Sequence, residues 1–321
     1  RSKKRIESGC DNMKKITMRD IFWNRVYELA KNDPNVIVVS ADMGAPALDK
    51  FRQNLTNQFV NAGIAEQNAM LVSSGLALAG KKVFVYAIAP FITMRCYEQI
   101  RVYPAGMNLP VTIVGVGAGI SYEDSGPTHH MVEDISILRC LPNMQILSAS
   151  DNNMAEAFAD ISYKSEHPCY VRLDRITLPN IYDADFNFSD GLSILQEVSD
   201  VNILSTGFMT NTALEISRRL QQEGIKIGVL DAYKIPIDQT VFLNKSKGMK
   251  ILITLEEHTL ACGLGSQVCE LVTDNSLPIK VERLGFDFSK EYCYVYGGRP
   301  VVHALYGIDA DSVTKVVKEM I

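Results

Sequence analysis

Short runs rich in β-branched residues alternate along the chain with longer segments whose apolar residues recur at a helical period, and this alternation limits the fold more than any other feature. A strand–helix–strand rhythm closes into largely parallel sheets, because a parallel crossover needs a helix to span it. In the first half the strands fall at Val36–Ser40, Val83–Ala87, Val111–Val114, Gln145–Leu147 and Tyr170–Leu173. Helices are expected at Met18–Lys31, Glu66–Ala79, Ile92–Val102, Val132–Arg139 and Asn152–Tyr163. The first of these sets Ile21, Phe22, Val26, Leu29 and Ala30 on one stripe. A stretch rich in Asn, Asp, Pro and Ser from Thr177 to Gly191 then interrupts the rhythm. A second series follows, with strands Val201–Leu204, Ile225–Leu230, Lys250–Thr254 and Ile279–Arg283 and helices Asn211–Gln222, Leu264–Thr273 and Ala310–Met320. The expected fold class is α/β: two tandem α/β domains with mostly parallel sheets, a flexible N-terminus over 1–15, a first domain over 16–176, a linker over 177–195 and a second domain over 196–321. In such sheets functional loops gather at the carboxyl ends of the strands.

Composition removes several function classes. With 47% apolar and 21% charged residues over 321 positions, wholesale disorder is excluded. A net charge of −5 offers no polycationic surface, so neither nucleic acid nor a membrane is expected as a partner. No window reaches the length of apolar residues that a membrane span requires. The basic stretch Arg1–Lys15 lacks a following apolar core and an initiator Met, so it reads as a trimmed or appended start rather than a secretory signal. The seven cysteines are scattered without a C-x-x-C pair, which suggests free thiols in a reducing cytoplasm rather than disulfides or a metal site.

Four motifs carry candidate chemistry. Gly115-Val116-Gly117-Ala118-Gly119 follows a strand but lacks the third glycine at the right spacing and the helix of a dinucleotide fingerprint, so its plain reading is a backbone turn. A dehydrogenase would rest on that loop alone. Asn61-Ala62-Gly63-Ile64-Ala65-Glu66-Gln67 runs into a helix, where Glu66 reads either as a dipole-matched first-turn carboxylate or as a buried acid that shares a proton with a ligand nitrogen. Ser125-Gly126-Pro127-Thr128-His129-His130 presents two imidazoles after a turn, as acid–base groups or as a solvated pair. Glu256-Glu257-His258 leads through Gly263-Leu264-Gly265 into a helix, which reads plainly as a tight strand-to-helix connection. There is no nucleophile elbow and no phosphate-binding P-loop.

Several of these pieces occur in one order and spacing. With Ala41-Asp42-Met43, Gly63-Ile64-Ala65-Glu66-Gln67, Arg95-x-Tyr97-Glu98-Gln99-Ile100-Arg101, Gly126-Pro127-Thr128-His129, Leu138-Arg139-Cys140-Leu141-Pro142-Asn143-Met144, Glu256-Glu257-His258 and Tyr296-Gly297-Gly298-Arg299, the chain from Met18 onward resembles the C-terminal half of transketolase-like, thiamine-diphosphate-dependent enzymes. The resemblance implies a pyrimidine-binding domain followed by a transketolase C-terminal-like domain. It makes Glu66 the carboxylate against the aminopyrimidine and His129 the histidine facing the reacting carbonyl, both catalytic. It makes Phe91 the ring stacked on the pyrimidine, with Ile88, Ile64 and Tyr97 as further cofactor-pocket walls. Arg19 and Arg175 match positions that hold a sugar phosphate, where a guanidinium fork suits the oxygens, and His130, His258 and Ser125 complete the substrate-binding candidates.

The family binds the diphosphate and its Mg²⁺ through a Gly-Asp-Gly motif that this sequence does not contain. The expected arrangement is therefore a split enzyme. An N-terminal transketolase subunit would hold diphosphate and metal, this chain would supply the pyrimidine half and homodimer contacts, and the whole would be an α₂β₂ heterotetramer. The resemblance also fails at three substrate positions: Ser125 replaces an acidic residue, the phosphate-binding histidine falls on Gly117, and a loop serine falls near Pro46. Charge-assisted contacts of that kind contribute about 1.5–3 kcal/mol each, so an atypical sugar is expected as the substrate of two-carbon ketol transfer. The alternatives are a deoxyxylulose-phosphate-synthase-like or 2-oxo-acid-decarboxylating enzyme, and a non-catalytic scaffold subunit.

Overall fold

Continuous Val and Ile runs that are buried along their whole length set the architecture, since parallel strands covered on both faces have no solvent side. The computed structural model describes residues 16–43, 46–289 and 292–321. The expectation for residues 1–15 lies outside them. The first sheet contains β1 (Val36–Ser40), β2 (Phe59–Asn61), β3 (Lys82–Ile88), β4 (Val111–Val116), β5 (Gln145–Ser148) and β6 (Cys169–Leu173). The second contains β7 (Leu192–Gln196), β8 (Val201–Ser205), β9 (Gly228–Ala232), β11 (Ile251–Thr259) and β12 (Lys280–Phe286). Between β9 and β11, the two-residue β10 (Lys234–Ile235) leaves its own domain and pairs antiparallel with β5, giving the first sheet the order β10-β5-β6-β4-β3-β1-β2. The second runs β12-β11-β8-β9-β7, parallel except where β7 meets β9. The expected two tandem, mostly parallel α/β units are what the chain forms.

Helices cover both faces of these sheets. Met18–Asn32 is capped by Thr17, whose hydroxyl accepts the Asp20 N–H at 3.3 Å. It buries Phe22 and Trp23 against β3, where the Trp23 ring lies 5.1 Å from Tyr86. The helix expected over Ile92–Val102 is broken. Two short turns, Ala89–Ile92 and Tyr97–Ile100, are separated by a bend at residues 93–96, where Thr93 Oγ1 bonds back to Ala89 O at 2.6 Å, and the second widens over Arg101–Ala105, where Pro104 lacks an N–H. That break carries Arg95 toward the helix Glu66–Leu78. The strand expected at Ile225–Leu230 starts later, at Gly228, and the sequence pattern does not reveal β2, β7 and β10 or the helices Gln239–Lys245 and Arg299–Leu305. No helix among the described residues is long and apolar enough to cross a membrane.

Buried charge fastens one sheet to the other. Arg172 on β6 donates from Nε to Asp134 Oδ2 at 2.7 Å, Tyr170 Oη donates to the same oxygen at 2.8 Å, and Arg172 Nη2 reaches Glu257 O on β11 at 3.3 Å. A second cluster centres on Arg299, which donates to Glu257 at 2.7 Å and to Asp174 at 2.6 Å, while His303 Nε2 meets Glu257 at 2.6 Å. Burial alone would push the Glu257 carboxyl up, but Arg299 and His303 outweigh it and bring it down to about 2. The glycine loop belongs to this junction. A Cβ at Gly119 would lie 1.9 Å from Glu257 Oε2, so only glycine lets the backbone reach that carboxylate.

His258 takes a different place from the expected substrate-proximal one. It is fully buried, accepts the Ser136 N–H at Nε2 (3.3 Å) and meets Thr259 O through Nδ1 (2.8 Å). With Nδ1 committed to its own strand and Nε2 committed across the domain junction, it positions the loop that follows His130 rather than lining a cleft. Burial lowers its pKa to about 4.

Two expectations follow. Asp134→Ala strands the Arg172 guanidinium in a dry site, and denaturant unfolding should show a loss of about 3–5 kcal/mol. The second concerns pH. An unfolded histidine takes up a proton near pH 6.5, whereas folded His258 resists until about 4, so its contribution to stability falls as pH drops across that window. Asp231 and Glu256, each raised by burial to about 7, act in the opposite sense, because their protonated folded forms favour stability at low pH. The variant comparison isolates the histidine: the stability difference between the native chain and His258→Gln should shrink by about 3 kcal/mol from pH 7 to pH 4.

Candidate active site

The carboxyl ends of β2, β3 and β4 bring three of the expected residues together. Gly63, at φ +72°, turns the chain out of β2, and Glu66 opens the next helix with its carboxylate 4% exposed. Phe91 sits in the turn after β3, with the half-buried Ile88 as the last residue of that strand. His129 lies beyond β4, its ring edge-on to Phe91 at 5.2 Å and its Nδ1 2.9 Å from Thr128 Oγ1.

Arg95 joins the acid to the aromatic ring. Its Nη1 donates to Glu66 Oε2 at 2.8 Å, and its guanidinium carbon lies 4.4 Å from the centre of the Phe91 ring. Gln67 Nε2 donates to the Arg95 carbonyl at 3.0 Å and holds the two segments in register. A flat, nitrogen-bearing cation of the chain itself therefore already makes the two contacts that an aminopyrimidine needs, a hydrogen bond to a buried carboxylate and a stack on an aromatic face. The donor set fits that half of thiamine diphosphate. Among the described residues, no group of three His, Cys, Asp or Glu side chains is placed to hold a metal ion.

The outer wall of the cleft is Tyr122 and Arg175. The Tyr122 ring lies 5.8 Å from His129, and the exposed Arg175 stacks its guanidinium 4.1 Å above Tyr122. The Arg175 backbone N–H donates to Ser121 Oγ at 3.0 Å, Ser121 Oγ donates to Asp174 Oδ1 at 2.7 Å, and Asp174 is held by Arg299. Arg19, at the start of its helix, is paired with Asp20 at 2.9 Å and lies beside Tyr86. Ser125 is half-buried, and its N–H bonds to Tyr122 O at 3.0 Å.

Other expected residues stand apart. His130 is 7% exposed beside Ile120, Val132, Phe286 and Cys293, where burial lowers its pKa and leaves Nε2 without a hydrogen-bond partner among the described residues. Tyr97 bonds to Cys140 Sγ at 3.3 Å and packs on the core of the first domain. Ile64 is 80% exposed, on the open side of the Glu66 turn. Sequence reasoning gave no role to Arg95 or Tyr122. Arg95 lies one helical turn beyond Phe91, the spacing at which side chains meet, and that signal was present. Tyr122 had a weaker one, a bulky residue soon after a loop of glycines that have no side chains to fill their own space.

Two domain families match the chain, "Transketolase, pyrimidine binding domain" over residues 14–180 and "Transketolase, C-terminal domain" over residues 191–313. One of the subunits of the apulose-4-phosphate transketolase of Phocaeicola vulgatus is 33% identical over 310 residues, covering 95% of this chain and 98% of that protein. The 1-deoxy-D-xylulose-5-phosphate synthase of Halothermothrix orenii is 31% identical over 99% of this chain but only 50% of its own length. Among solved structures, a split-gene transketolase in an inactive β4 tetramer matches with a TM-score of 0.82 at 32% identity, over 95% of this chain and 97% of that one.

Proposed function

The chain belongs to the transketolase family, as the C-terminal subunit of a transferase divided over two chains, and from that premise we propose how its residues divide the work of two-carbon ketol transfer. The observation that carries the proposal is the buried Glu66 carboxylate beside Phe91 and His129. Thiamine diphosphate, held here at its aminopyrimidine by Glu66 and Phe91, would supply a carbon nucleophile for a sugar carbonyl. Glu66 orients the aminopyrimidine and exchanges a proton with its ring nitrogen through a carboxylate oxygen. Phe91 presents a flat apolar face that excludes water from the ring. Thr128 holds His129 at Nδ1, which leaves Nε2 to exchange a proton with the substrate carbonyl or hydroxyl oxygen. Arg175, with Arg19 deeper in the wall, attracts an anionic sugar tail.

Diphosphate and Mg²⁺ belong, on this reading, to an N-terminal partner subunit. The lack of a Gly-Asp-Gly motif supports it, as does the inactive state of the β4 tetramer formed by the structural neighbour. Exposed Ile64, Leu71 and Met94 around the Glu66–Arg95 pair give this face the apolar character of a surface covered in an α₂β₂ assembly. An atypical sugar is the favoured substrate: Gly117 and Ser125 lack the groups expected of ordinary transketolases, and the Phocaeicola relative is a transketolase of apulose 4-phosphate.

Glu66→Gln in the two-subunit enzyme should lower ketol transfer by at least about a thousandfold, with assembly of the two chains unchanged by size-exclusion chromatography. Unchanged turnover would favour a scaffold role. Release of CO₂ from pyruvate by the native enzyme would instead favour the synthase-like reading.

A further inference from the structure

Four groups stand in a row along the cleft. Phe91 and His129 are 5.2 Å apart, His129 and Tyr122 5.8 Å, and the Arg175 guanidinium lies 4.1 Å above Tyr122. The row starts at the shelf beside Glu66 and ends at an exposed cation. Tyr122 is its central member and the one to which the reaction so far assigns no part. Its ring covers Gly117, where a Cβ would come within 2.3 Å of Tyr122 Cδ2 and Cε2. Gly117 also has φ +96°, so both space and backbone exclude a side chain there. The Tyr122 hydroxyl has no hydrogen-bond partner among the described residues, although the ring is half-buried. A phenol held by packing, with a free hydroxyl between an imidazole and a guanidinium, is disposed to meet a ligand.

We propose that Tyr122 is the specificity-determining residue of this cleft. The inference rests on the ketol-transfer reading and deepens it. The ring closes the Gly117 side, so a sugar with its carbonyl at His129 must direct its tail along the ring toward Arg175. The Ser121–Asp174 contacts fix the Arg175 backbone, the guanidinium stacks on the Tyr122 ring, and from there it reads an anionic group beyond the reacting carbon. The phenol hydroxyl bonds a sugar hydroxyl midway. The substrate class is a short sugar with a terminal anion, and longer ketoses are excluded by the ring rather than by the absence of a cation.

The test uses the two-subunit enzyme loaded with thiamine diphosphate and Mg²⁺, with xylulose 5-phosphate and sedoheptulose 7-phosphate as short and long donors. Tyr122→Ala should lower the short-to-long ratio of kcat/KM by at least about tenfold, because removing a ring opens a pocket-sized volume. Tyr122→Phe should keep that ratio within about twofold while raising KM for the short donor by about three- to tenfold at unchanged kcat, the effect of one lost neutral hydrogen bond. Calorimetric affinity for thiamine diphosphate should stay unchanged in both variants. An equal slowing of both donors in Tyr122→Ala, or an unchanged ratio, overturns the proposal. If the native enzyme turns over neither ketose, the atypical-sugar reading stands, and it is release of CO₂ from pyruvate that counts against ketol transfer. The ratio is then read from calorimetric binding of the same two sugar phosphates, where an unchanged value in Tyr122→Ala again overturns it.

Discussion

Buried cations hold the two halves of this molecule in one relation, and Arg299 does most to link the fold to the site. Arg299 reaches back from the last quarter of the chain to Asp174, which ends the first sheet, and to Glu257, which lies on the second. Neither acid could be buried alone without a cost of several kcal/mol, and the guanidinium satisfies both, with Nε and Nη2 on Glu257 and Nη2 also on Asp174. The arrangement matters beyond stability because Asp174 also accepts the Ser121 hydroxyl, whose oxygen accepts the backbone N–H of Arg175. The backbone that carries the outermost cation of the cleft is thus held, through Ser121 and Asp174, by Arg299. The same logic explains the glycine loop: Gly119 yields its side chain so that Glu257 can come close, and the loop between Gly117 and His129 is fixed as a result.

The inner end of the cleft follows a different rule. Glu66 is almost without solvent, yet a half-exposed arginine gives it a partner at 2.8 Å and lies flat on Phe91. A buried carboxylate needs such a partner in the isolated chain. Because the partner is planar and reaches the acid through one nitrogen, it also shows what shape of ligand the two groups accept. The recognition is built by a helix that breaks where periodicity alone would carry it straight on.

Much of this was legible in the residues. The parallel strands declared themselves because burial on both faces demands uninterrupted Val and Ile, and Ala310–Met320 formed over the predicted span because Asp309 caps it with hydrogen bonds to Asp311 and Ser312. The motif around Glu66 and the one before His129 named the inner site. What escaped was whatever depends on distance along the chain. Two-residue β10 has no pattern of its own, and its place is decided by the free edge of β5. The break after Thr93 leaves no mark in the periodicity, since the same back-bond from Ser73 and Ser74 lies inside an unbroken helix. His258 looked like a site residue because it stands in a motif, and only packing shows both of its nitrogens occupied by backbone groups. Tyr122 escaped for the converse reason, since its meaning lies in the empty space over Gly117.

The crossing of β10 into the first sheet has a consequence for how the chain is made. Synthesis proceeds from the N-terminus, so the first six strands emerge long before residue 235. Until Lys234 and Ile235 arrive, the edge of β5 carries unpaired amides and carbonyls, the feature that templates unwanted pairing. A nascent first domain therefore stays open at one margin while about sixty further residues are added, a matter of seconds at ordinary elongation rates. The second half of the chain thus supplies the strand that covers the β5 margin, and a ribosome stalled before it would present an open strand edge.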